Sequence, residues 1–307
     1  MAVRSASEVV ARPPLVAVPQ QVKKSPHPLN AAMVRTWRNP LGKFGVVILG
    51  ILVLAAIFAP WISPYDPIVQ HQGKELLGPN SEFWMGTDEL GRDLLSRVIW
   101  GTRPSLVVAL MVVFLGGVLG ICAGLAAAYN GGWVDTVIMR LFDALFAFPA
   151  ILLGFVVIAA LGPGTTQVAY AIAIAVIPSL GRVARSLVLK ERNRDYVLAA
   201  RCTGAGSTRV MFIHLLPNAV SPMIVNLALL MGFSVLAEAS LAFLGLGTQP
   251  PTPSWGAMLN DSRAYLRVDP WMAIGPGVVL AMLLLGLNYL ADALREAFDP
   301  RRVNAGF

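Results

Sequence analysis

Residues 195–218 read DYVLAARCTGAGSTRVMFIHLLPN, a polar stretch between long apolar segments of a 307-residue chain. Asn193 is expected to cap a short helix, and Asp195 stands in its first turn, where the helix dipole favours an anion. Gly204 provides a left-handed stop. A second helix is predicted from Ser207 to Pro217. In a membrane protein, such a polar helix-turn-helix indicates a docking surface for a partner outside the bilayer.

The composition identifies an all-α polytopic membrane protein. The chain is 56% hydrophobic and only 13% charged, with a mean hydropathy of +0.66. Crossing the hydrocarbon layer takes about 20 apolar residues. Six segments are long enough, at residues 44–62, 105–129, 136–160, 167–189, 219–247 and 271–290. Arg182 and Arg185 shorten the fourth segment, which is predicted to leave the membrane as a polar helical extension.

The distribution of basic residues predicts the orientation, because positively charged short loops stay in the cytoplasm. Seven Lys and Arg residues precede the first span against one acid, Glu8, and the segment after the fourth span is also strongly basic. The loop 63–103 instead holds six acids and four basic residues. Both termini and the 190–218 loop are therefore predicted to be cytoplasmic. This topology accounts for the net charge of +7, and no nucleic-acid partner is predicted.

These observations divide the chain into four parts. Residues 1–31 are predicted to be a disordered cytoplasmic tail, because they are rich in Pro, Val, Ala and Ser without helical periodicity. Residues 32–43 form a juxtamembrane segment, 44–302 the transmembrane domain and 303–307 a C-terminal tail. Within the domain, the outer loops are 63–103 and 248–270, and the cytoplasmic loop is 190–218.

Small and aromatic residues suggest how the spans pack. Gly116, Gly120 and Gly124 recur every four residues, which predicts one helix face for close packing. Six tryptophans lie near predicted span ends or in loops, as interfacial aromatics do, at positions 61, 84, 100, 133, 255 and 271. The 249–256 run, QPPTPSWG, is interpreted as a stiff re-entry that Trp255 anchors at the interface.

The sequence lacks the motifs of a catalytic subunit. It contains neither a Walker A pattern nor HExxH, and its three histidines are too scattered to form a metal cluster. No span carries a serine paired with His or Lys at helical spacing, so a membrane-embedded hydrolase is unsupported. The chain is predicted to be no enzyme and to hold neither cofactor nor metal.

Five residues of the opening stretch resemble a known loop. Ala199, Ala200, Gly204, Leu216 and Pro217 reproduce the spacing of the cytoplasmic EAA loop of ABC-importer permeases. The Glu that names that loop is replaced here by Leu198, a departure that leaves the Gly204 turn in place.

Two further blocks resemble the dipeptide/oligopeptide/nickel family of these permeases. Residues 84–97, WMGTDELGRDLLSR, resemble its outer-loop signature, and residues 238–256, EASLAFLGLGTQPPTPSWG, resemble its fifth-span block. The resemblance extends from about Ala32 to Arg302 and points to the C type of the two permease subunits. It implies a type I ABC-importer permease fold with six transmembrane helices and an EAA-type coupling helix-turn-helix.

The resemblance also implies partners. Similar permeases lie in the bacterial inner membrane, pair with a second permease subunit and bind two cytoplasmic ATPase subunits, which carry ATP and Mg. An extracytoplasmic solute-binding protein delivers the solute, and the permease moves it by alternating access within the membrane lipid. The implied ATPase contacts are Tyr196, Ala199, Ala200, Gly204, Ala205, Leu216 and Pro217.

Polar residues inside the spans are candidates for the translocation path. Glu238 lies deep in the fifth span, where a buried ionisable group indicates function; the alternative is a helix–helix hydrogen bond or a protonated carboxyl. Asn226 and Asn288 either face the path or hold neighbouring helices together. Arg140 and Asp143 are predicted to form an ion pair within one helix.

The charged residues of the first outer loop have two interpretations. Asp88, Arg92, Asp93 and Arg97 either contact the binding protein or pair with one another and order the long loop. The ordering interpretation is favoured.

The functional hypotheses are therefore two. The first is the permease subunit of an ATP-driven importer for dipeptides, short peptides or a related solute such as glutathione or a nickel complex. The second is a self-contained secondary carrier or channel. A carrier of this kind usually shows inverted repeats or several charges at mid-membrane, and neither is evident here.

Overall fold

Long helices dominate a computed structural model of the protein, which describes residues 28–298. The helices are α1 (Pro28–Arg38), α2 (Pro40–Ile62), α3 (Leu94–Val112), α4 (Val118–Asn130), α5 (Gly132–Phe146), α6 (Ala150–Leu161), α7 (Thr165–Glu191), α8 (Asp195–Cys202), α9 (Ser207–Arg209), α10 (Leu216–Phe243), α11 (Trp255–Ser262) and α12 (Trp271–Ala297). Two π-helical segments, Val113–Gly117 and Val210–Leu215, join α3 to α4 and α9 to α10.

Five continuous stretches within residues 28–298 are long and apolar enough to cross a membrane. They are Pro40–Ile62, Leu94–Asn130, Thr165–Glu191, Ser207–Phe243 and Trp271–Ala297. The pair α5 and α6 forms a sixth span if it is counted as one bent unit. The all-α polytopic architecture predicted from composition is confirmed.

The third predicted span, 136–160, is not a single straight helix. The axes of α5 and α6 differ by 90° across residues 147–149. Pro149 precedes α6 with an extended backbone (φ −55°, ψ 132°), and a residue before proline is driven out of the helical region. Hydropathy detects the apolar content of this segment but carries no information about the bend.

The second span begins earlier than its apolar run. Helix α3 starts at Leu94, where the Asp93 carboxylate caps it by accepting a hydrogen bond from the Ser96 amide at 2.8 Å. The predicted outer loop, residues 63–103, is therefore helical from residue 94 onward. The prediction failed because Arg97 and Arg103 interrupt the apolar run, although both fit the helix.

Pro217 does not end a helix, as the sequence had suggested. Ser207–Phe243 is one continuous helical stretch of 37 residues, and Pro217 lies in the first turn of α10. The π-helical segment precedes this proline, and the Leu216 amide bonds to the Met211 carbonyl five residues back. This wider turn accommodates a residue that has no amide hydrogen and whose ring crowds the preceding turn.

The glycine stripe packs closely, as predicted. Gly116, Gly120 and Gly124 all face α7, where a Cβ atom on any of them would meet atoms of Ala173, Ile177 or Gly181 at less than 3 Å. The α4–α7 contact is the most extensive between two helices of the described chain.

The ends of the chain bear on the domain boundaries. Helix α1 begins at Pro28, so residues 28–31, predicted to belong to the tail, are helical. Asn39 separates α1 from α2, and its side-chain oxygen caps α2 by accepting a hydrogen bond from the Leu41 amide at 2.9 Å. The other residues predicted to form tails, 1–27 and 303–307, lie outside the described residues.

Candidate docking surface and membrane path

The helix-turn of residues 195–206 forms as predicted, with one correction at its start. Helix α8 runs from Asp195 to Cys202, and Gly204 adopts the predicted left-handed conformation with φ +83°. The cap position is Arg194 and not Asn193, and it makes no side-chain capping bond. Arg194 is the residue with extended backbone that directly precedes α8. Asn193 lies one residue before it and is therefore outside the capping position.

One face of α8 is buried against the ends of the spanning helices. Val197 is fully buried and Ala200 is 9% exposed. Val197 packs in a cluster with Leu125 of α4, Val188 of α7 and Val210. Burial of this apolar face stabilises the position of α8 relative to the membrane bundle.

Polar contacts hold the same segment. The Tyr196 hydroxyl donates to the Glu191 carboxylate at 3.1 Å, and Arg194 pairs with the same carboxylate at 3.2 Å. Burial and the bond to Glu191 raise the pKa of Tyr196 to about 12. The Arg192 guanidinium donates to the Ala128 carbonyl at 2.8 Å, at the end of α4. Helix α8 is therefore anchored at its start as well as along its inner face.

The opposite face of α8 is open. Leu198 is 47% exposed, and Ala199, Cys202 and Gly204 are also exposed. The seven predicted contact residues thus divide: Ala199, Gly204 and Pro217 are exposed, Tyr196, Ala205 and Leu216 are half-buried, and Ala200 is buried. Leu198, noted in the sequence only as a departure, is the large apolar residue of this face. We call the exposed side chains of Leu198, Ala199 and Cys202, with the 203–204 turn, the α8 face.

The charged residues of the first outer loop form a buried cluster. Asp88, Arg92, Asp93 and Arg97 are each between 1% and 6% exposed. The Asp88 carboxylate pairs with Arg92 Nε at 2.6 Å and with Arg97 Nε at 3.2 Å. This is the arrangement that the ordering interpretation expects, and the buried side chains offer little surface to a binding protein.

Two more carboxylates lie beside this cluster. Glu89 pairs with Arg92 at 3.0 Å, and Asp261 of α11 lines the same small cavity as Arg97. Burial raises the pKa of Glu89, with a further contribution from the Asp88 charge. Burial also raises the pKa of Asp261. The outer loop and α11 are therefore coupled electrostatically.

Trp255 connects the same two regions and corrects the interfacial interpretation. Its side chain is fully buried, and its Nε1 donates to the Val98 carbonyl of α3 at 2.9 Å. Its ring also occupies the space above Gly101, where a Cβ atom would come within 3 Å of it. Trp255 is therefore a core residue that ties α11 to α3.

The three predicted path residues do not form one site. Glu238 is 1% exposed at the contact of α10 with α3, where its Oε2 accepts a hydrogen bond from the Ser105 hydroxyl at 2.9 Å. Asn226 is half-buried, bonds to the Pro222 carbonyl of its own helix at 2.8 Å and lines a cavity. Asn288 is exposed on α12. Of the three, only Asn226 borders a cavity among those described.

The pairing of Asp143 differs from the prediction. Its carboxylate lies 2.7 Å from Arg182 Nη2 of α7, and this contact replaces the predicted pair with Arg140. A second pair joins the same helices, with Arg185 donating two bonds of 2.6 Å to Asp135. Sequence spacing missed both pairs because their members are far apart along the chain.

The spanning helices form a bundle that carries one short helix-turn. One face of this helix-turn is anchored on the bundle and the other is exposed, which is the architecture of an importer permease. Residues 116–304 match the family described as "binding-protein-dependent transport system inner membrane component". Residues 28–79 match the "N-terminal TM domain of oligopeptide transport permease C". The chain belongs to the family of binding-protein-dependent transport system inner membrane components. It is a multi-pass membrane subunit of a transport system and not an enzyme.

Characterised relatives cover nearly the whole chain. It is 39% identical over 274 residues to the dipeptide transport system permease protein DppC of Alkalihalophilus pseudofirmus, covering 89% of this chain and 90% of the relative. It is 41% identical over 286 residues to the di/tripeptide transport system permease protein DppC of Pseudomonas aeruginosa, covering 91% and 94%. It is 41% identical over 270 residues to the glutathione transport system permease protein GsiD of Pectobacterium atrosepticum, covering 86% and 90%.

A solved structure supports the fold. An inward-facing structure of the MetNI methionine ABC transporter superposes with a TM-score of 0.54 at 18% identity, covering 67% of this chain and 97% of that chain. This likeness confirms the type I permease fold predicted from the resemblance.

Proposed function

We propose that this chain is the permease subunit through which dipeptides or short peptides, or a related small solute such as glutathione, are imported across the bacterial inner membrane. Family membership supports a transport subunit over a self-contained carrier. Relatives named for dipeptides and for glutathione at about 40% identity support this class of solute. The peptide and glutathione alternatives share a small zwitterionic solute with a free carboxylate.

The observation that carries the proposal is the two-sided character of α8. Its inner face, with Val197 at its centre, is fixed to the ends of α4 and α7, while Leu198 and Ala199 stay open. Leu198 and Ala199 lie side by side on the open face, so a partner can approach the helix closely at the alanine and bury the leucine. A partner that covers this face accounts for the arrangement.

A continuous helix connects the α8 face to the membrane bundle, so a force on that face is transmitted into the membrane. Residues 207–243 run without a break from the end of the Gly204 turn to the far end of α10. Displacement of α8 therefore moves α10 together with the attached ends of α4 and α7. In the proposed cycle, closure of two ATPase subunits on ATP and Mg pushes α8, and rigid-body rocking of the helices alternates access to the solute.

The proposed assembly contains four kinds of chain. This subunit pairs with a second permease subunit, and the pair binds two cytoplasmic ATPase subunits, one of them through the α8 face. The pair receives solute from an extracytoplasmic binding protein. Both termini and the 190–218 loop face the cytoplasm in this proposal, which the excess of basic residues supports.

The experiment that tests the proposal is recovery of the ATPases with the affinity-purified chain after co-expression with its partner permease and ATPases. The test variant is Ala199→Glu, which adds a charged side chain to the α8 face. Its matched control is Ala264→Glu, the same change at an exposed alanine between α11 and α12. Monodispersity in detergent reports folding of each variant.

We expect the wild type and Ala264→Glu to retain the ATPases and the folded Ala199→Glu to lose them. Equal recovery in all three would show that the α8 face is not the docking surface. Transport of solute by the purified chain alone in liposomes, without any ATPase, would replace the proposal with the carrier alternative.

A further inference from the structure

A cavity of about 340 Å³ lies where the bend between α5 and α6 meets α7 and α10. Its lining includes Phe146 and Ala150 on either side of the bend, Ser179 of α7 and Asn226 of α10. Pockets for small ligands are typically about 300–1,000 Å³, largely apolar, with a few polar groups that converge. This cavity meets that description, since Ser179 and Asn226 are its polar groups within an otherwise apolar wall.

An exposed ion pair stands beside the cavity. Arg182 follows Ser179 by one helical turn, and its guanidinium carbon lies 4.4 Å from the centre of the Phe146 ring, which itself lines the cavity. Arg182 Nη2 lies 2.7 Å from Asp143 Oδ1, with the two side chains 46% and 54% exposed. A pair as exposed as this contributes little stability, so its partners can be exchanged at small cost.

The neighbouring pair shows the contrast. Arg185 and Asp135 join the same two helices through two bonds of 2.6 Å, and their side chains are 32% and 21% exposed. Two-point contacts of this kind fix geometry. Arg185 and Asp135 therefore serve as the structural tie between α5 and α7, which leaves the single-bonded Arg182–Asp143 pair available for another role.

We infer that Arg182 and Asp143 form a transit site for a zwitterionic solute that occupies this cavity. Arg182 exchanges the Asp143 carboxylate for the carboxylate of the solute, and Asp143 takes the ammonium group. Both charges of the solute are then balanced as its body lies against Phe146, with Ser179 and Asn226 within the same cavity. The inference rests on the proposed import of peptides and deepens it by assigning residues to the passage of the solute.

The test measures protection of a cysteine in the cavity. Ser179 is exposed, and Ser179→Cys is introduced. Mass spectrometry of the peptides separates alkylation at position 179 from alkylation of the exposed native thiols, Cys122 and Cys202. The full complex is placed in nanodiscs, and the rate of alkylation is measured with millimolar dialanine or with its N-acetylated, C-amidated derivative. The same measurement is repeated with Arg182→Gln and with the matched control Arg38→Gln, the same change at an exposed arginine of α1. Uptake of dialanine by the same complex in liposomes is measured in parallel.

We expect dialanine to slow alkylation and its uncharged derivative to have no effect. Arg182→Gln should raise the half-protecting dialanine concentration about fivefold, the scale of a partly exposed ion pair, and Arg38→Gln should leave it unchanged. Equal protection by both compounds, or an unchanged half-protecting dialanine concentration in Arg182→Gln, would overturn the charge recognition. Absence of protection in a complex that imports dialanine would overturn the site and leave the proposed function intact. Protection without uptake would refute the proposed import of peptides, and with it the transit role of the site.

Discussion

Asp88 is the centre of the buried charge cluster in the first outer loop, and its replacement by asparagine tests that cluster most directly. Oδ1 accepts hydrogen bonds from the Leu90 and Arg92 amides at 2.9 Å, while Oδ2 faces Arg92 Nε at 2.6 Å and Arg97 Nε at 3.2 Å. Asparagine can keep the two amide bonds through its single carbonyl oxygen. Its NH₂ group, however, is placed against two buried guanidinium groups.

The magnitude follows from burial. The Arg92 and Arg97 side chains are only 7% and 5% exposed, so water does not replace the lost carboxylate. Removal of one partner from a buried ion pair costs about 3–5 kcal/mol. Glu89 remains 3.0 Å from Arg92 and keeps part of the charge balance, so the lower value, about 3 kcal/mol, is expected. This corresponds to a roughly 100-fold rise in the population of open loop.

Limited trypsin digestion of the purified protein measures this population, because Arg92 is a cleavage site that the closed loop protects. Cleavage follows the open population when the loop recloses faster than it is cut. We expect cleavage after Arg92 to be about 100-fold faster in Asp88→Asn than in the wild type. Mass spectrometry of the fragments identifies the cut.

Asp66→Asn is the matched control. Asp66 is exposed, and its Oδ1 accepts a bond from the Ile68 amide at 2.9 Å, in the same turn geometry that Asp88 makes with Leu90. The control therefore makes the same chemical change without opening the cluster. Equal cleavage rates in Asp88→Asn, Asp66→Asn and the wild type would refute the argument that the buried pairs order the loop.

Three further predictions concern other parts of the molecule. Gly204→Ala places a side chain at a backbone φ of +83°, which costs about 1–2 kcal/mol, and it should reduce recovery of the ATPases. The control Gly206→Ala, at φ −65° with open space around it, should leave that recovery unchanged. Trp255→Phe removes a buried hydrogen bond and should lower the thermal transition temperature in detergent by the equivalent of about 1–3 kcal/mol. Trp84→Phe, at a 70% exposed ring, should leave that temperature unchanged. Equal transition temperatures in the two variants would contradict the core role of Trp255. Burial raises the pKa of Asp261, so the folded state binds the proton of this carboxyl more tightly than the unfolded state does. The carboxyl therefore favours folding at acidic pH and loses that contribution as the pH rises through its raised pKa. The Asp261→Asn variant should gain less thermal stability on acidification than the wild type, and an identical pH profile would count against this assignment.

Much of the candidate docking surface could be predicted from the sequence because it depends on local signals. A glycine at the end of a short polar helix predicts a left-handed turn, and the structure places Gly204 in that conformation. The division of α8 into two faces was less accessible. Ala199 and Ala200 are chemically identical, yet only Ala200 is buried, since the direction of each side chain depends on where α4 and α7 end beneath the helix.

The path residues show the same limit more strongly. Asn226, Asn288 and Glu238 were grouped because they are polar residues within apolar segments, but they lie on different surfaces of the folded chain. Arg182 was recognised only as the residue that shortens the fourth span. Its position beside the cavity became evident when α7 was seen to pack against the bend after α5.

Composition and local pattern by themselves determined that this is a helical membrane protein, where its apolar segments lie, which glycines allow close packing and which family its motifs resemble. These are properties of contiguous residues, because hydropathy, helix propensity and turn preference act over a few turns of chain. Only the tertiary structure decided that the third span is bent by 90°, that Asp143 pairs with Arg182 and that Trp255 is buried. Those outcomes depend on which helices meet, and packing between distant segments overrides the preferences that neighbours along the chain express.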